Sequence, residues 1–228
     1  MTAMVEVKIC GLNDGASVVA AGAAGARFAG FVFYPPSPRS LKPEAAGALA
    51  RLLPQRVQRV GLFVDADDAT LAATLAQVPL DLLQLHGHET PVRVAEIKAH
   101  FALPVMKAIA VGGAADIDAA AEYLNVADWL LFDARPPRDM KGALPGGNAL
   151  SFDWRLIAGR SWSRPWMLSG GLSAGNLAEA VRVSGAAVVD VSSGVEDRPG
   201  VKNPDRIRAF LDAARALPAA AQPGISHQ

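Results

Sequence analysis

The amino-acid sequence predicts a single-domain α/β fold, a closed (β/α)8 TIM barrel. Eight short apolar runs of strand length recur along its 228 residues. Most of the segments between them are rich in Ala, Leu, Glu and Arg, with apolar residues spaced at roughly 3.6, the helical period. No Gly-x-Gly-x-x-Gly follows the first strand, and the strand count is high for a doubly wound open sheet of this length. Strands that alternate with helical segments build right-handed crossovers into a parallel sheet. Eight such units, in a chain close to the ~250 residues typical of these barrels, close the sheet on itself.

The first strand is "VEVKIC", 5–10, ending at the turn "GLND". The second, "FAGFVFY" (28–34), runs into the rigid "PPSP". "RVGLFV" (59–64) precedes the helical "DDATLAATLAQV", and "LDLLQLH" (80–86) precedes "TPVRVAEIKAHF". "LPVMKAI" (103–109) and "DWLLFDA" (128–134) are the fifth and sixth. After the sixth the rhythm breaks in a long Pro/Gly-rich loop, "ARPPRDMKGALPGGNALSFDWRL", and long loops inside compact domains are usually functional. "PWMLSG" (165–170) and "AAVVDVSSG" (186–194) complete the set, each followed by a helical segment, "AGNLAEAVRVS" and "NPDRIRAFLDAARAL". A barrel catalytic domain is expected over 1–217. The Ala-rich remainder, 218–228, loses the helical pattern at Pro218 and reads as a frayed tail.

Composition narrows the function classes. Lys and Arg number 22 against 22 Asp and Glu, so neither nucleic acid nor an anionic membrane is favoured as a partner. A single cysteine excludes an internal disulfide framework and a Cys-based zinc site, and suits a reducing cytoplasm. No carboxylate/His set has metal-ligand spacing. No apolar run reaches the roughly 18 residues of a membrane span. Apolar helix faces would serve a monomer or a homodimer equally well.

In a barrel of this kind the working residues lie at the C-terminal ends of strands and in the loops that follow. That rule selects Cys10, Arg39, Asp65, His86, Lys107, Asp133, Asp190 and the turns "SGGLS" (169–173) and "SSGVE" (192–196). Strand alternation sorts them further. Cys10 shares a face with Lys8 and Glu6, opposite Val5, Val7 and Ile9; Gln84 and His86 share a face; Asp190 lies on the face of Val188. Polar groups aimed into a barrel lumen are costly unless paired, so they should form one network. Lys8 is expected to pair with Asp190 or to assist the Cys10 thiol. Asp65 and Lys107 are expected to pair with each other or with Lys8, and His88 to lie at the surface. Gly170 and Gly171 allow close backbone approach, and Ser192, Ser193 and Gly194 add donors, so the last two turns read as a phosphate site. Without such a setting a lone cysteine is a small buried hydrophobe, and two glycines after a strand are a plain turn.

Taken together, "VKICGLND", "GFVFYPPSPRS", "LQLHGHE", "LLFDA", "GGNALSFDW", "LSGGLSAGNL" and "VDVSSGVEDRPGVKNPDRI" resemble the phosphoribosylanthranilate isomerase family of tryptophan biosynthesis. The resemblance spans nearly the whole chain. It implies a (β/α)8 barrel that needs no cofactor and performs an Amadori rearrangement of a phosphorylated aminoaldose. By position it implies Cys10 as general base, Asp133 as general acid, Arg39 as the holder of the anthranilate carboxylate through a bidentate fork, and the two glycine/serine turns as the phosphate cradle. His86 and Asp190 are expected beside the substrate or one step behind it. An acid role for Asp133 requires an apolar setting, expected from Phe132, Trp129 and the closed loops. The loop after the sixth strand departs from the family pattern: Asn148 and Ala149 stand where Thr or Ser and Gly are usual, which reduces the ligand contacts expected from it. The alternatives are a broader aminoaldose isomerase also serving histidine biosynthesis, which would use an aspartate at Cys10 and two phosphate cradles, and a catalytically silent barrel that binds a phosphorylated metabolite.

Overall fold

The structure, a computed structural model, describes residues 4–137, 139–140, 142–220 and 222–223. Eight parallel strands close into one barrel in sequence order: β1 (Glu6–Cys10), β2 (Phe28–Val32), β3 (Gln58–Phe63), β4 (Leu82–Leu85), β5 (Val105–Val111), β6 (Trp129–Ala134), β7 (Trp166–Leu168) and β8 (Val188–Val191). Seven α-helices are present among the described residues: α1 (Gly15–Ala23), α2 (Pro43–Ala50), α3 (Asp68–Leu75), α4 (Pro91–Phe101), α5 (Ala114–Ala119), α6 (Leu177–Ser184) and α7 (Pro204–Arg215). Between β6 and β7 the chain forms the expected long loop and a single 3-10 turn, Trp154–Leu156, in place of an eighth helix. Beyond β8 an antiparallel hairpin, β9 (Glu196–Arg198) and β10 (Val201–Lys202), precedes α7.

Local chemistry sets the helix starts. Asp14 accepts the Ser17 amide ahead of α1, and Thr90 caps α4 with Pro91 in its first turn. Asn203 accepts the Asp205 and Arg206 amides ahead of α7, again followed by Pro.

The strand alternation divides the core in two. Val5, Val7 and Ile9 on β1, Leu83 and Leu85 on β4 and Val189 and Val191 on β8 face the helices. The barrel interior is filled by Phe28, Val60, Leu82, Met106, Ala108, Leu131, Met167 and Val188, with Trp129 edge-on to Phe28 at 5.5 Å between centroids. Above this apolar plug the lumen turns polar. At the opposite end residues 4–5 meet 217–218, where Val5 N–H donates to Leu217 O at 3.2 Å and Met4 bridges Pro218. The segment 218–228, expected to fray, lies partly outside the described residues; within the described part, Gln222 Oε1 accepts the Trp166 amide at 3.1 Å. Among the described residues no helix is long and apolar enough to cross a membrane.

Phe28 is 1% exposed, at the centre of the interior plug. Phe28→Ala is expected to lower unfolding free energy by about 3–5 kcal/mol in urea denaturation, the cost of an unfilled core cavity. A loss below about 1 kcal/mol would show that the lumen repacks around the gap.

Candidate active site

Five strand ends send polar side chains into the lumen mouth. On β1 and β8 the registered pair Lys8 and Asp190 joins through Lys8 Nζ and Asp190 Oδ1 at 2.8 Å, and Ser169 Oγ donates to Asp190 Oδ2 at 3.0 Å. Lys8 has no exposed surface. Burial alone would lower its pKa, but the charges of Asp190 and Cys10 outweigh it and hold the ammonium above its ordinary 10.5. Cys10 follows on the same face. Burial pushes its thiol up, while Lys8 and, more weakly, Lys202 pull it down. The thiol and the ammonium converge over Gly30 on β2: a Cβ there would lie 3.1 Å from Cys10 Sγ and 3.2 Å from Lys8 Nζ. Lys8 therefore pairs with Asp190, one of its two expected partners, and stands beside a thiol whose pKa is raised overall.

Across the mouth, Asp133 at the end of β6 is 4% exposed, and its Oδ1 accepts the Ala134 amide at 2.9 Å. His86 Nε2 lies 3.3 Å from Asp133 Oδ2, and Gln84 Nε2 contacts His86 Nδ1 at 2.8 Å. With Gln84 donating, Nδ1 is the acceptor and the ring proton sits on Nε2, facing Asp133. Of the cover expected for Asp133 from Phe132, Trp129 and the closed loops, only the loop is found over it. Phe132 occupies the other face of β6, packed on Trp162 and Trp166, and Trp129 lies at the base of the strand. Asp133 is covered instead by the loop after β6: a Cβ at Gly146 would sit 2.6 Å from Asp133 Oδ2 and 2.9 Å from His86 Nε2.

That loop lies closer to the site than its departure from the family pattern implied. Its neighbouring Gly147, at φ +76°, packs on Arg39, where a Cβ would meet Nη1 at 2.7 Å. Asn148 closes the loop by accepting the Leu144 amide at 3.0 Å and donating to the Leu144 carbonyl at 2.7 Å. Ala149 holds φ +57°, the left-handed region a glycine would take freely, at a cost of roughly 1–2 kcal/mol.

Arg39 is buried, its stem crossing Gly11, where a Cβ would lie 2.6 Å from Arg39 Cδ. The fork expected to meet a ligand carboxylate is engaged by Glu196. Nε donates to Oε1 at 2.7 Å and Nη2 to Oε2 at 2.8 Å, while Nη2 also donates to Gly147 O at 3.2 Å. Among the described residues Nη1 alone has no hydrogen-bond partner; it packs on Gly147, and Arg39 lines the cavity. Lys202 shares the same carboxylate at 2.7 Å and donates to Ser192 O and Oγ at 2.9 and 3.1 Å. Ser192 Oγ in turn donates to Cys10 O at 3.1 Å. Sequence reasoning missed both Glu196 and Lys202. The available signal was their charge in the loop after the last strand.

The two late turns interlock. Gly170 and Gly171 adopt φ +90° and +62°, and a Cβ on Gly194 would fall 1.9 Å from Leu172 O. Ser193 and Gly194 open a 3-10 turn, whose first amides have no partner within it. Gly170, Gly171, Ser192 and Ser193, with Cys10, Asp133, His86 and Arg39, line one cavity of about 710 Å³ including its open mouth, walled on one side by Val32, Tyr34, Leu62 and Val64; Gly194 packs on Leu172 outside the lining. Asp65 and Lys107 stand outside it. Lys107 shares the helix-facing side of β5 with Val105 and Ile109, so it pairs with Glu89 at 2.8 Å rather than with Asp65 or Lys8. Asp65 accepts the amide of the exposed His88 at 2.6 Å.

The Arg39–Glu196–Lys202 cluster has a pH signature. Burial alone would raise the Glu196 pKa, but the Arg39 hydrogen bonds and the Lys202 charge hold it below its ordinary 4.5. A depressed folded-state pKa contributes stability that is fully present above 4.5 and lost as pH falls through the folded value. The urea midpoint of the wild type is therefore expected to fall more steeply below pH 4.5 than that of Glu196→Gln. Parallel pH curves would show that this carboxylate is not proton-linked to folding.

Known proteins resemble this chain over nearly its whole length. A family model described as "PRAI: N-(5'phosphoribosyl)anthranilate (PRA) isomerase" matches residues 7–213. A relative from Paramagnetospirillum magneticum named N-(5'-phosphoribosyl)anthranilate isomerase is 60% identical over 212 residues, covering 92% of this chain and 97% of the relative. One of the same name from Rhodospirillum centenum is 60% identical over 213 residues, covering 93% and 99%. The crystal structure of phosphoribosyl anthranilate isomerase from Thermotoga maritima superposes with a TM-score of 0.83 at 36% identity, over 94% of this chain and all of that one. A phosphoribosyl anthranilate isomerase structure in complex with reduced 1-(o-carboxyphenylamino)-1-deoxyribulose 5-phosphate gives 0.79 at 34% identity, with the same coverage. With matches of this extent, the chain belongs to the phosphoribosylanthranilate isomerase family.

Proposed function

We infer that the protein isomerises N-(5-phosphoribosyl)anthranilate to 1-(2-carboxyphenylamino)-1-deoxyribulose 5-phosphate, a step of tryptophan biosynthesis. The observation that carries this reading is a single cavity lined by one thiol, the carboxyls of Asp133 and Asp190, one arginine and two glycine/serine turns. Asp133 delivers its proton to the furanose ring oxygen as the C1′–O bond breaks, and the anilino nitrogen lone pair forms the C1′=N bond of a Schiff base. The Cys10 thiolate then takes the C2′ proton, and the electron pair moves through C1′ to nitrogen to give the enolamine. Return of a proton to C1′ and loss of the 2′-hydroxyl proton give the ketone. One acid and one base suffice for this sequence.

The remaining groups bind and orient. The amides and hydroxyls of Gly170, Gly171, Ser192, Ser193 and Gly194 hold the phosphate, at the position where barrels of this kind place one. Arg39 Nη1 faces the anthranilate carboxylate, with Val32, Tyr34, Leu62 and Val64 against the aryl ring. His86 orients Asp133, and Asp190 holds Lys8 beside Cys10. One phosphate cradle and a cysteine base favour this substrate over a two-phosphate aminoaldose. The substrate is a small phosphorylated molecule, and the site of action is the cytoplasm.

Purified protein supplied with phosphoribosylanthranilate is expected to quench its anthranilate-type fluorescence. Phosphate binding without turnover would indicate a silent barrel. Cys10→Ala and Asp133→Asn are each expected to lower kcat by about a thousandfold or more, roughly 4 kcal/mol of barrier, with KM nearly unchanged. Variants that stay within about tenfold of wild type, roughly 1.4 kcal/mol, would overturn the acid/base assignment.

A further inference from the structure

Arg39 spends three of its N–H donors inside the protein, two on the Glu196 carboxylate and one on Gly147 O. A guanidinium neutralised one-to-one by a buried carboxylate would be a poor receptor for a second carboxylate. The chain avoids this neutralisation by placing a second cation on the same anion. Lys202 Nζ contacts Glu196 Oε1 at 2.7 Å, the atom that also accepts Arg39 Nε. Two cations thus share one carboxylate, and one positive charge remains unmatched. All three side chains are about 95% buried or more, where charge is weakly screened. The two donors of Nη1 have no partner among the described residues, and Arg39 lines the cavity.

Lys202 also has a second task. Its other contacts are the carbonyl and hydroxyl oxygens of Ser192, at 2.9 and 3.1 Å. The hairpin brings it there: β10 folds back antiparallel on β9 through Gly200 at φ +81°, whose amide donates to Glu196 Oε2 at 3.3 Å. One ammonium therefore links the arginine at one end of the cavity to the serine turn at the other.

We propose that Glu196 and Lys202 are positioning residues for substrate binding: Glu196 aims Arg39 Nη1 into the cavity, and Lys202 keeps that arginine electropositive while fixing the Ser192 turn. This rests on the functional reading above, in which Arg39 meets a carboxylate and the Ser192 turn meets a phosphate. Neither residue touches substrate. Their loss acts mainly on KM; loss of Lys202 takes from the thiol only the weaker of its two lysine influences, and Lys8 stays in place.

The test is steady-state kinetics on the full chain, with benzoate and inorganic phosphate as competitive inhibitors that probe the two ends separately. Lys202→Met is expected to raise KM, the benzoate Ki and the phosphate Ki each by about tenfold, with kcat within about threefold. Lys202→Arg, which keeps the charge, is expected to return KM to within about threefold of wild type. Glu196→Gln, nearly isosteric and so the fallback if Lys202→Met does not fold, is expected to raise KM and the benzoate Ki by about tenfold and the phosphate Ki by less. A lowered melting temperature with KM and both Ki values within about threefold of wild type, in either folded variant, would overturn the proposal and leave a purely structural cluster. Wild-type protein without turnover, or without inhibition by either probe, would instead overturn the functional reading.

Discussion

A lysine ammonium with no contact to water lies in the throat of this barrel, matched by an aspartate on the strand that closes the sheet. Removing one member of such a pair leaves an uncompensated buried charge, at about 3–5 kcal/mol, so each fixes the other. The mouth is arranged around it. Asp190 accepts one bond on each oxygen, from Lys8 and from Ser169, and the start of the seventh turn is thereby tied to the eighth strand. Cys10 sits one pleat above Lys8 and takes its electrostatic setting from the pair. The ammonium favours the thiolate, while the aspartate and the burial oppose it. Gly30 supplies the space that lets sulfur and nitrogen share one side of the lumen.

A second buried charge cluster stands at the loop level, with the same ingredients differently balanced. In the lower one a single lysine meets a single carboxylate; in the upper one a lysine and an arginine meet one glutamate. The lower cluster is neutral and borders the thiol. The upper one is cationic and borders the space where an anionic ligand belongs. The loop after β6 joins the two halves through backbone rather than side chains, pressing Gly146 on Asp133 and Gly147 on Arg39. Any side chain at those positions would occupy the atoms it is meant to cover.

The barrel and its polar mouth were legible because strand alternation is a local rule. Apolar runs, a single break after β6 and the parity of Lys8, Cys10, Gln84, His86, Asp133 and Asp190 all follow from neighbours in the chain. What escaped is non-local or depends on loop conformation. Glu196 reaches an arginine 157 positions away, a contact that no pattern around either residue encodes. Phe132 was expected to shelter Asp133, yet adjacent strand residues point to opposite faces, so it could not. The same parity sends Lys107 toward the helices and Glu89. Ala149 shows the converse: a missing glycine suggested lost backbone freedom, and packing imposes the left-handed conformation regardless.

The partners of the throat ion pair are 182 residues apart, which gives the fold a sense of time. During synthesis β1 emerges early and β8 nearly last. Through that interval β1 is an open edge strand, and its lysine faces the inside of a growing sheet without a counter-ion. Six further strands can assemble beside it without resolving that charge. Only when Val188–Val191 docks does the ammonium find its aspartate, the edge disappear and the thiol acquire its surroundings. The pair that closes the sheet therefore forms only between segments separated by nearly the whole barrel.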